Sequence, residues 1–439
     1  MKRIFFILIL LIIVAGITAY FSPKLVGVAH WADRNGPSLN VSIDERESGR
    51  HLVLHGEDTL NLVSSISILA TPEGSDAPTI LLEREFSPPI ELYEDLIPLK
   101  TLVKPLREGK ITLEARISDN SYWKNVTQQS IAVEIDKTIP SLEVLSQQHK
   151  MYAGGAEFVL YRTSDTHLAR SGITLGGNTF FGQPVKEVFP STSLDSDVYA
   201  VVCAAPLGLP TSDFHPTLWS QDTFGNENTI PLFFAFVERE PDEGKPEISE
   251  RFLTTKIPPL VNEASNTYSN DFEPFETPES EDGWRATFQS VNETFRAKLR
   301  AELESLLRER STPTFFTAPM SRPMGGKLMS GFGEHRYYQF NGQGAGQSVH
   351  EGFDIASVKN DVVVAAAPGT VVFSKQFGIY GNAVLIDHGL GVSTLYGHLS
   401  SLSVKEGDHV EQGQKIAVSG ESGLAGGDHL HFEIRVGFV

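Results

Sequence analysis

Near the C-terminus the chain reads His429-Leu430-His431-Phe432-Glu433, and this stretch decides how its last quarter folds. As a β-strand it sets residues 429, 431 and 433 on one face and Leu430 and Phe432 on the other, because side chains alternate along a strand. Two imidazoles and a carboxylate then share one side. Upstream stands His350-Glu351-Gly352-Phe353-Asp354. An imidazole and a carboxylate four positions apart can converge on one ion, and the intervening Gly352 permits the sharp path this needs. Two histidines and one carboxylate, with a fourth position open to water, form a recurrent catalytic zinc set. Thr394-Leu395-Tyr396-Gly397-His398-Leu399 adds another imidazole. At the end of a strand and before a turn, His398 can lean into the same site. The pattern is not the helical His-Glu-x-x-His motif, so Glu351 is not read as that motif's general base.

Working outward, seven of the thirteen histidines fall in this region: His335, His350, His388, His398, His409, His429 and His431. Histidine serves both as metal ligand and as acid–base group, so the skew marks where chemistry is expected. Runs at 362–366, 370–374, 383–387, 393–396, 415–418 and 429–436 read as strands separated by glycine-rich turns. His388, in Asp387-His388-Gly389, reads as a structural strand end. His409 lies among loop charges and reads as solvated, whereas His335 is a candidate to line the cleft.

From Gly36 to Val237 the pattern is short strands and turns, expected to form two β-sandwich modules at 36–137 and 138–237, joined at Asp136-Lys137-Thr138-Ile139-Pro140. The turn Asp222-Thr223-Phe224-Gly225-Asn226 is similar to that of bacterial immunoglobulin-like modules. These modules are expected to act as spacers. Residues 238–283 are rich in Glu, Asp, Pro, Ser and Thr, a composition that does not bury enough surface to fold alone, so 238–314 is expected to be an acidic linker. Within it, short helices are expected near Ile248 to Thr255. From Ala286 to Arg310 the apolar residues Phe288, Val291, Phe295, Leu299, Leu303 and Leu306 fall at three- and four-residue steps, giving a helix whose stripe packs on a neighbouring domain.

The N-terminus carries Lys2 and Arg3 before an apolar run from Ile4 to Phe21. As a helix that run would span about 27 Å, close to a bilayer core. Residues 1–22 are therefore expected to be a single-pass membrane anchor, with a cleaved signal as the alternative. Either reading exports the rest of the chain. The net charge of −19 argues against nucleic acid as a partner. The single cysteine, Cys203, excludes an internal disulfide and a cysteine metal box and reads as a buried apolar residue.

Taken together, His350-x-Gly-x-Asp354, Tyr396-Gly397-His398-Leu399 and His429-x-His431-Phe432-Glu433 resemble the motifs of the M23 peptidases, the lysostaphin-like metallo-endopeptidases. Gly331-Phe332-Gly333, Ala365 to Val371, Tyr380-Gly381-Asn382 and Val404 to Asp408 add to the likeness, which covers about Met329 to Val439. The resemblance implies that His350, Asp354 and His431 hold one Zn²⁺ and that His398 and His429 are the unligated catalytic pair. Glu433 is a candidate to orient a ligand from behind. It further implies a zinc endopeptidase of peptidoglycan cross-links, on the outer side of a bacterial cell membrane. The alternatives are a non-catalytic activator of other wall hydrolases and a proteinase of secreted proteins. The expected architecture is mostly β: a transmembrane helix, immunoglobulin-like β-sandwich modules, a helical linker and an antiparallel-β metallopeptidase domain at 315–439. Members of the family continue past the His-x-His strand, whereas this chain stops at Val439. Either the sequence is a fragment or the last strand lacks a partner.

Overall fold

The computed structural model of the chain describes residues 33–46, 49–147, 150–308, 319–437 and 439. The expected anchor at 1–22 lies outside the described residues, as does the start expected for the last domain at 315. No helix among the described residues is long and apolar enough to cross a membrane. The described chain is mostly β and separates into two compact units.

The first unit holds the residues up to Pro140 together with Asp165–Ala169 and Gln221–Asn228. Alternating patterns such as Ile111, Leu113, Ala115 and Ile117 bury every second residue of the strand Gly109–Asp119. A three-stranded and a four-stranded antiparallel sheet share one core around Leu52, Leu54, Ile66, Ile68 and Leu113. The Asp222 turn is a clasp. Its carboxylate accepts from the backbone of Phe224 and Asn226, and the Asn226 amide donates to the Asp136 carbonyl at the expected joint (2.9 Å).

The second unit comprises Ser141–Ser164, Arg170–Ser220 and Thr229–Val439. At its centre is a seven-stranded antiparallel sheet in the order Lys327–Ser330, Phe353–Ala356, Leu430–Val436, Val392–Leu399, Asn382–Asp387, Gly369–Gln376, His409–Val410. The expectation that the last strand lacks a partner is corrected. Leu430–Val436 is an interior strand, hydrogen-bonded to Phe353–Ala356 on one side and Val392–Leu399 on the other.

The region 138–237 does not close a core by itself. Tyr161, Phe180, Val201 and Cys203 of that region form one core with Val392 and Val436 of the central sheet. Cys203 is fully buried, and burial pushes its thiol up to about 12.

The segment expected to be a linker folds instead. Glu250–Thr267 is an eighteen-residue helix, capped where the Ser249 hydroxyl accepts from the Phe252 backbone N–H. Its buried residues Leu253, Ile257, Leu260, Val261 and Ala264 make one face despite Pro258 and Pro259. A second helical run goes from Glu281–Gln289 through a π-helical stretch, Ser290–Phe295, into Arg296–Arg308. Its stripe of Phe288, Val291, Phe295, Leu299 and Leu303 shares one core with Leu253 and Leu260 and with Phe373, Phe377, Ile379 and Leu385 of the peptidase-like region. The acidic segment thus gains from a neighbour the burial that its own composition lacks. Phe295 lies at the middle of this joint core and is 1% exposed. Phe295→Ala is expected to destabilise the unit by about 3–5 kcal/mol. Denaturant unfolding reads this, and a loss below about 1 kcal/mol would show that the helices only rest on the sheet.

Candidate metal centre and cleft

The register of the central sheet builds the site. On the strand Leu430–Val436, His431 stands opposite Asp354 on one neighbour and Gly397 on the other. Leu430 and Phe432 point into a core with Ile355 and Tyr396, leaving His431 and Glu433 on the opposite face. Gly352 is required by packing. A Cβ there would stand 2.5 Å from the Phe432 carbonyl oxygen and 3.0 Å from His431 Cε1.

The ligand candidates His350, Asp354 and His431 converge, each offering one donor atom within 4.8 Å of the others. His350 Nε2 lies 3.0 Å from Asp354 Oδ1 and 3.1 Å from His431 Nδ1, and His431 Nδ1 lies 3.0 Å from Asp354 Oδ1. Ligands about 2.0–2.1 Å from zinc at tetrahedral angles stand roughly 3.3 Å apart, so this triangle fits that ion. The outer nitrogens are committed elsewhere. His350 Nδ1 donates to the Gly331 carbonyl (2.8 Å), and His431 Nε2 donates to Glu433 Oε1 (2.8 Å). In its neutral form each ring therefore turns a lone pair toward the centre.

Burial alone would raise the Asp354 pKa, but hydrogen bonds from His350, His429 and His431 overcome it and hold the carboxylate ionised well below the usual range. Burial would likewise lower His431, yet bonds to Asp354 and Glu433 lift it to about 9. His350 goes the other way, lowered chiefly by burial.

His398 and His429 flank the triangle. Their ring centroids are 4.8 Å apart, and the His398 ring is 5.8 Å from that of His431. His398 sits in the left-handed region at φ 61°, a conformation that costs a non-glycine residue roughly 1–2 kcal/mol. Its Nδ1 donates to the Ser422 carbonyl (2.9 Å). Burial, then the nearby His429 and His431, depress its pKa well below the usual histidine value, so it is neutral. His429 donates from Nδ1 to the Gly427 carbonyl and brings Nε2 to 3.6 Å from Asp354 Oδ1.

Behind His431 runs a chain of charges. Glu433, 1% exposed, joins His431 to Arg435 (2.8 Å), Arg435 reaches Glu351 (3.3 Å), and Glu351 pairs with Arg300 on the helix Arg296–Arg308 (2.8 Å). Glu351 is thereby engaged in ion pairs. Glu433→Gln keeps the shape but removes the charge that balances Arg435 and polarises His431. Its zinc affinity, measured by chelator competition, is expected to fall about 10–100-fold. An unchanged affinity would make the chain purely structural.

The remaining histidines lie elsewhere. His388 is buried and bonds to Pro368 O and Thr394 Oγ1, while His409 is exposed and bonds to Thr370. His335, a candidate cleft residue by sequence, does not line the cavity. The alternate residues of its strand, Arg336 and Tyr338, do. Arg336 was not singled out in the sequence, and the only signal for it was this alternation. Its guanidinium spans Glu334 (3.0 Å), Ser330 (2.6 Å) and Asp354 Oδ2 (2.9 Å), fixing the carboxylate from behind.

The cavity over the triangle measures about 400 Å³. Part of its lining comes from the acidic segment: Pro246, Glu247, Ile248, Ser249 and Phe252, with Phe288 and Arg296 from the second helical run. Sequence composition concealed this part.

Residues 348–438 match peptidase family M23. Over 88 residues the chain is 44% identical to the DD-carboxypeptidase/endopeptidase Mpg of Neisseria meningitidis, covering 20% of each chain. It is 40% identical over 87 residues to the peptidoglycan DD-endopeptidase ShyA of Vibrio cholerae, again 20% of each. Over 143 residues it is 33% identical to the murein hydrolase activator NlpD of Salmonella dublin, 32% of this chain and 35% of that one. The chain thus spans about a fifth to a third of the length of these relatives. Its residues 348–438 are a peptidase family M23 domain.

Proposed function

We propose that the chain is a zinc-dependent endopeptidase that hydrolyses peptide bonds in peptidoglycan cross-links. The convergence of His350 Nε2, Asp354 Oδ1 and His431 Nδ1 into one triangle carries this reading. The relative named as a peptidoglycan DD-endopeptidase supplies the substrate class. Bound at the triangle, zinc supplies Lewis acidity, lowering the pKa of a water and polarising the scissile carbonyl. His350, Asp354 and His431 hold it, with Arg336 and Glu433 keeping two of those ligands in place. His398 and His429 serve as the proton-handling pair. A neutral imidazole accepts the water's proton, and a protonated one stabilises the oxyanion or supplies the leaving amine. Pro246, Glu247, Ile248, Ser249 and Phe252 add to the lining of the cavity. In the same reading, residues 1–22 tether the chain to the cytoplasmic membrane with the domain on its outer side.

The test is digestion of purified peptidoglycan by the zinc-loaded chain, with product masses showing which bond is cut. The activator named among the relatives favours a second reading, a chain that stimulates other wall hydrolases without cutting. A purified chain without bound zinc and inert on peptidoglycan would decide for that second reading.

A further inference from the structure

The geometry points to Arg296 as a carboxylate-binding residue that selects anionic peptides; this rests on the peptidase reading above. Arg296 lines the same cavity as His350, Asp354, His398, His429 and His431. Its neighbours differ from it in one respect. Arg336 is committed to Glu334 and Asp354, Arg435 to Glu433 and Glu351, and Arg300 to Glu351 and Glu304. Among the described residues no carboxylate lies within ion-pairing distance of Arg296. Glu247, the other acidic residue of the lining, is exposed and is not paired with it.

Arg296 is nonetheless held rigidly. Nε donates to the Asn292 carbonyl and Nη2 to Asn292 Oδ1, both at 2.9 Å. Asn292 is fully buried and donates in turn to the Gln347 carbonyl (2.9 Å). It belongs to the π-helical stretch Ser290–Phe295, and such widened turns recur at functional sites. A guanidinium has five N–H donors, and two are used here. The remaining three lie on Nη1 and Nη2, the edge that accepts a carboxylate through two parallel bonds. Phe252, Phe288 and Ile379, which line the same cavity, give an apolar setting in which such a bond is stronger than in water. A fixed, partly shielded and unpaired guanidinium in the wall of a peptide-cutting cavity has one natural occupant, a free carboxylate of the peptide. Arg296 lies outside residues 348–438, so this selection is a property of the added helical wall and not of the family domain.

The experiment compares two synthetic cross-linked wall peptides, identical except that the free carboxylates beside the scissile bond are amides in one. The zinc-loaded full chain is expected to prefer the acid by roughly ten- to a hundredfold in kcat/KM. In Arg296→Gln the acid-to-amide ratio is expected to fall to near one, and in Arg296→Lys to an intermediate value. Because the readout is a ratio within each variant, loss of folded protein lowers both peptides alike and leaves it unmoved. Calorimetric binding of the same pair to His429→Ala, with and without Arg296→Gln, gives a second readout that needs no cleavage. If neither peptide is cut, the peptidase reading fails while the binding ratio still judges Arg296. A wild-type ratio near one, or a preference that survives Arg296→Gln in both measurements, would overturn the proposal.

Discussion

Asp354→Ala is expected to leave the chain without zinc and its hydrolysis of wall peptides at background. Asp354 Oδ1 meets both ligand imidazoles at 3.0 Å, so its loss opens the triangle and also removes the one anion of the set. Losing an outer partner of a ligand already costs about 10–100-fold in metal affinity, and losing a direct ligand costs more than that. Two side effects sharpen the expectation. Arg336 loses a carboxylate partner, and His431 loses one of the two hydrogen bonds that raise it. Metal analysis after gel filtration reads the first loss and peptide hydrolysis the second. Chelation of the wild type is expected to reproduce both, and added zinc to restore only the wild type. A variant that keeps one zinc per chain would remove Asp354 from the ligand set.

The same groups set a pH dependence. In the metal-free chain His431 is protonated below about 9, although burial opposes this, because Asp354 and Glu433 bond to it. Its folded value exceeds the ordinary histidine value of about 6.5. The pairing therefore stabilises the metal-free fold fully below that ordinary value and is lost as pH rises through about 9. Zinc needs the neutral ring, so binding near neutrality releases this proton, and affinity weakens as pH falls below that value.

What could be read from the sequence follows from how locally each feature is encoded. His350, Asp354, His398, His429 and His431 sit on short motifs at or beside strands, and the structure brings all five to one cavity. The strand alternation of His431 and Glu433 against Leu430 and Phe432 needed no partner to be visible. Arg336 is different: its role depends on Asp354, which reaches it only through tertiary packing. The wall of the cavity was hidden for another reason. Averaged over 238–283, acidic residues and prolines outweigh the aliphatics, yet Leu253, Ile257, Leu260, Val261 and Ala264 already fall on one helical face. A stripe that short does not sustain a helix alone. It becomes stable against Phe295, Phe377 and Ile379, which lie far along the chain. The span 138–237 behaves similarly, since Val392 and Val436 complete its core.

The second large effect separates proton handling from metal binding. His429→Ala and His398→Asn are each expected to lower kcat about 10²–10⁴-fold while zinc stays bound. Asparagine is the better replacement at 398, because it tolerates the left-handed backbone at φ 61° with less strain than alanine. Neither ring is part of the triangle: His398 approaches His431 only at 5.8 Å between centroids, and His429 Nε2 stays 3.6 Å from Asp354 Oδ1. Zinc content near one per chain, with hydrolysis reduced, is therefore the expected signature, opposite to that of Asp354→Ala. If the rings act as one proton-handling pair, the double variant loses little more than the worse single variant. If they act independently, the two losses multiply. Loss of zinc from either single variant would instead make that ring a ligand, and unchanged turnover in both would leave water activation to the metal alone.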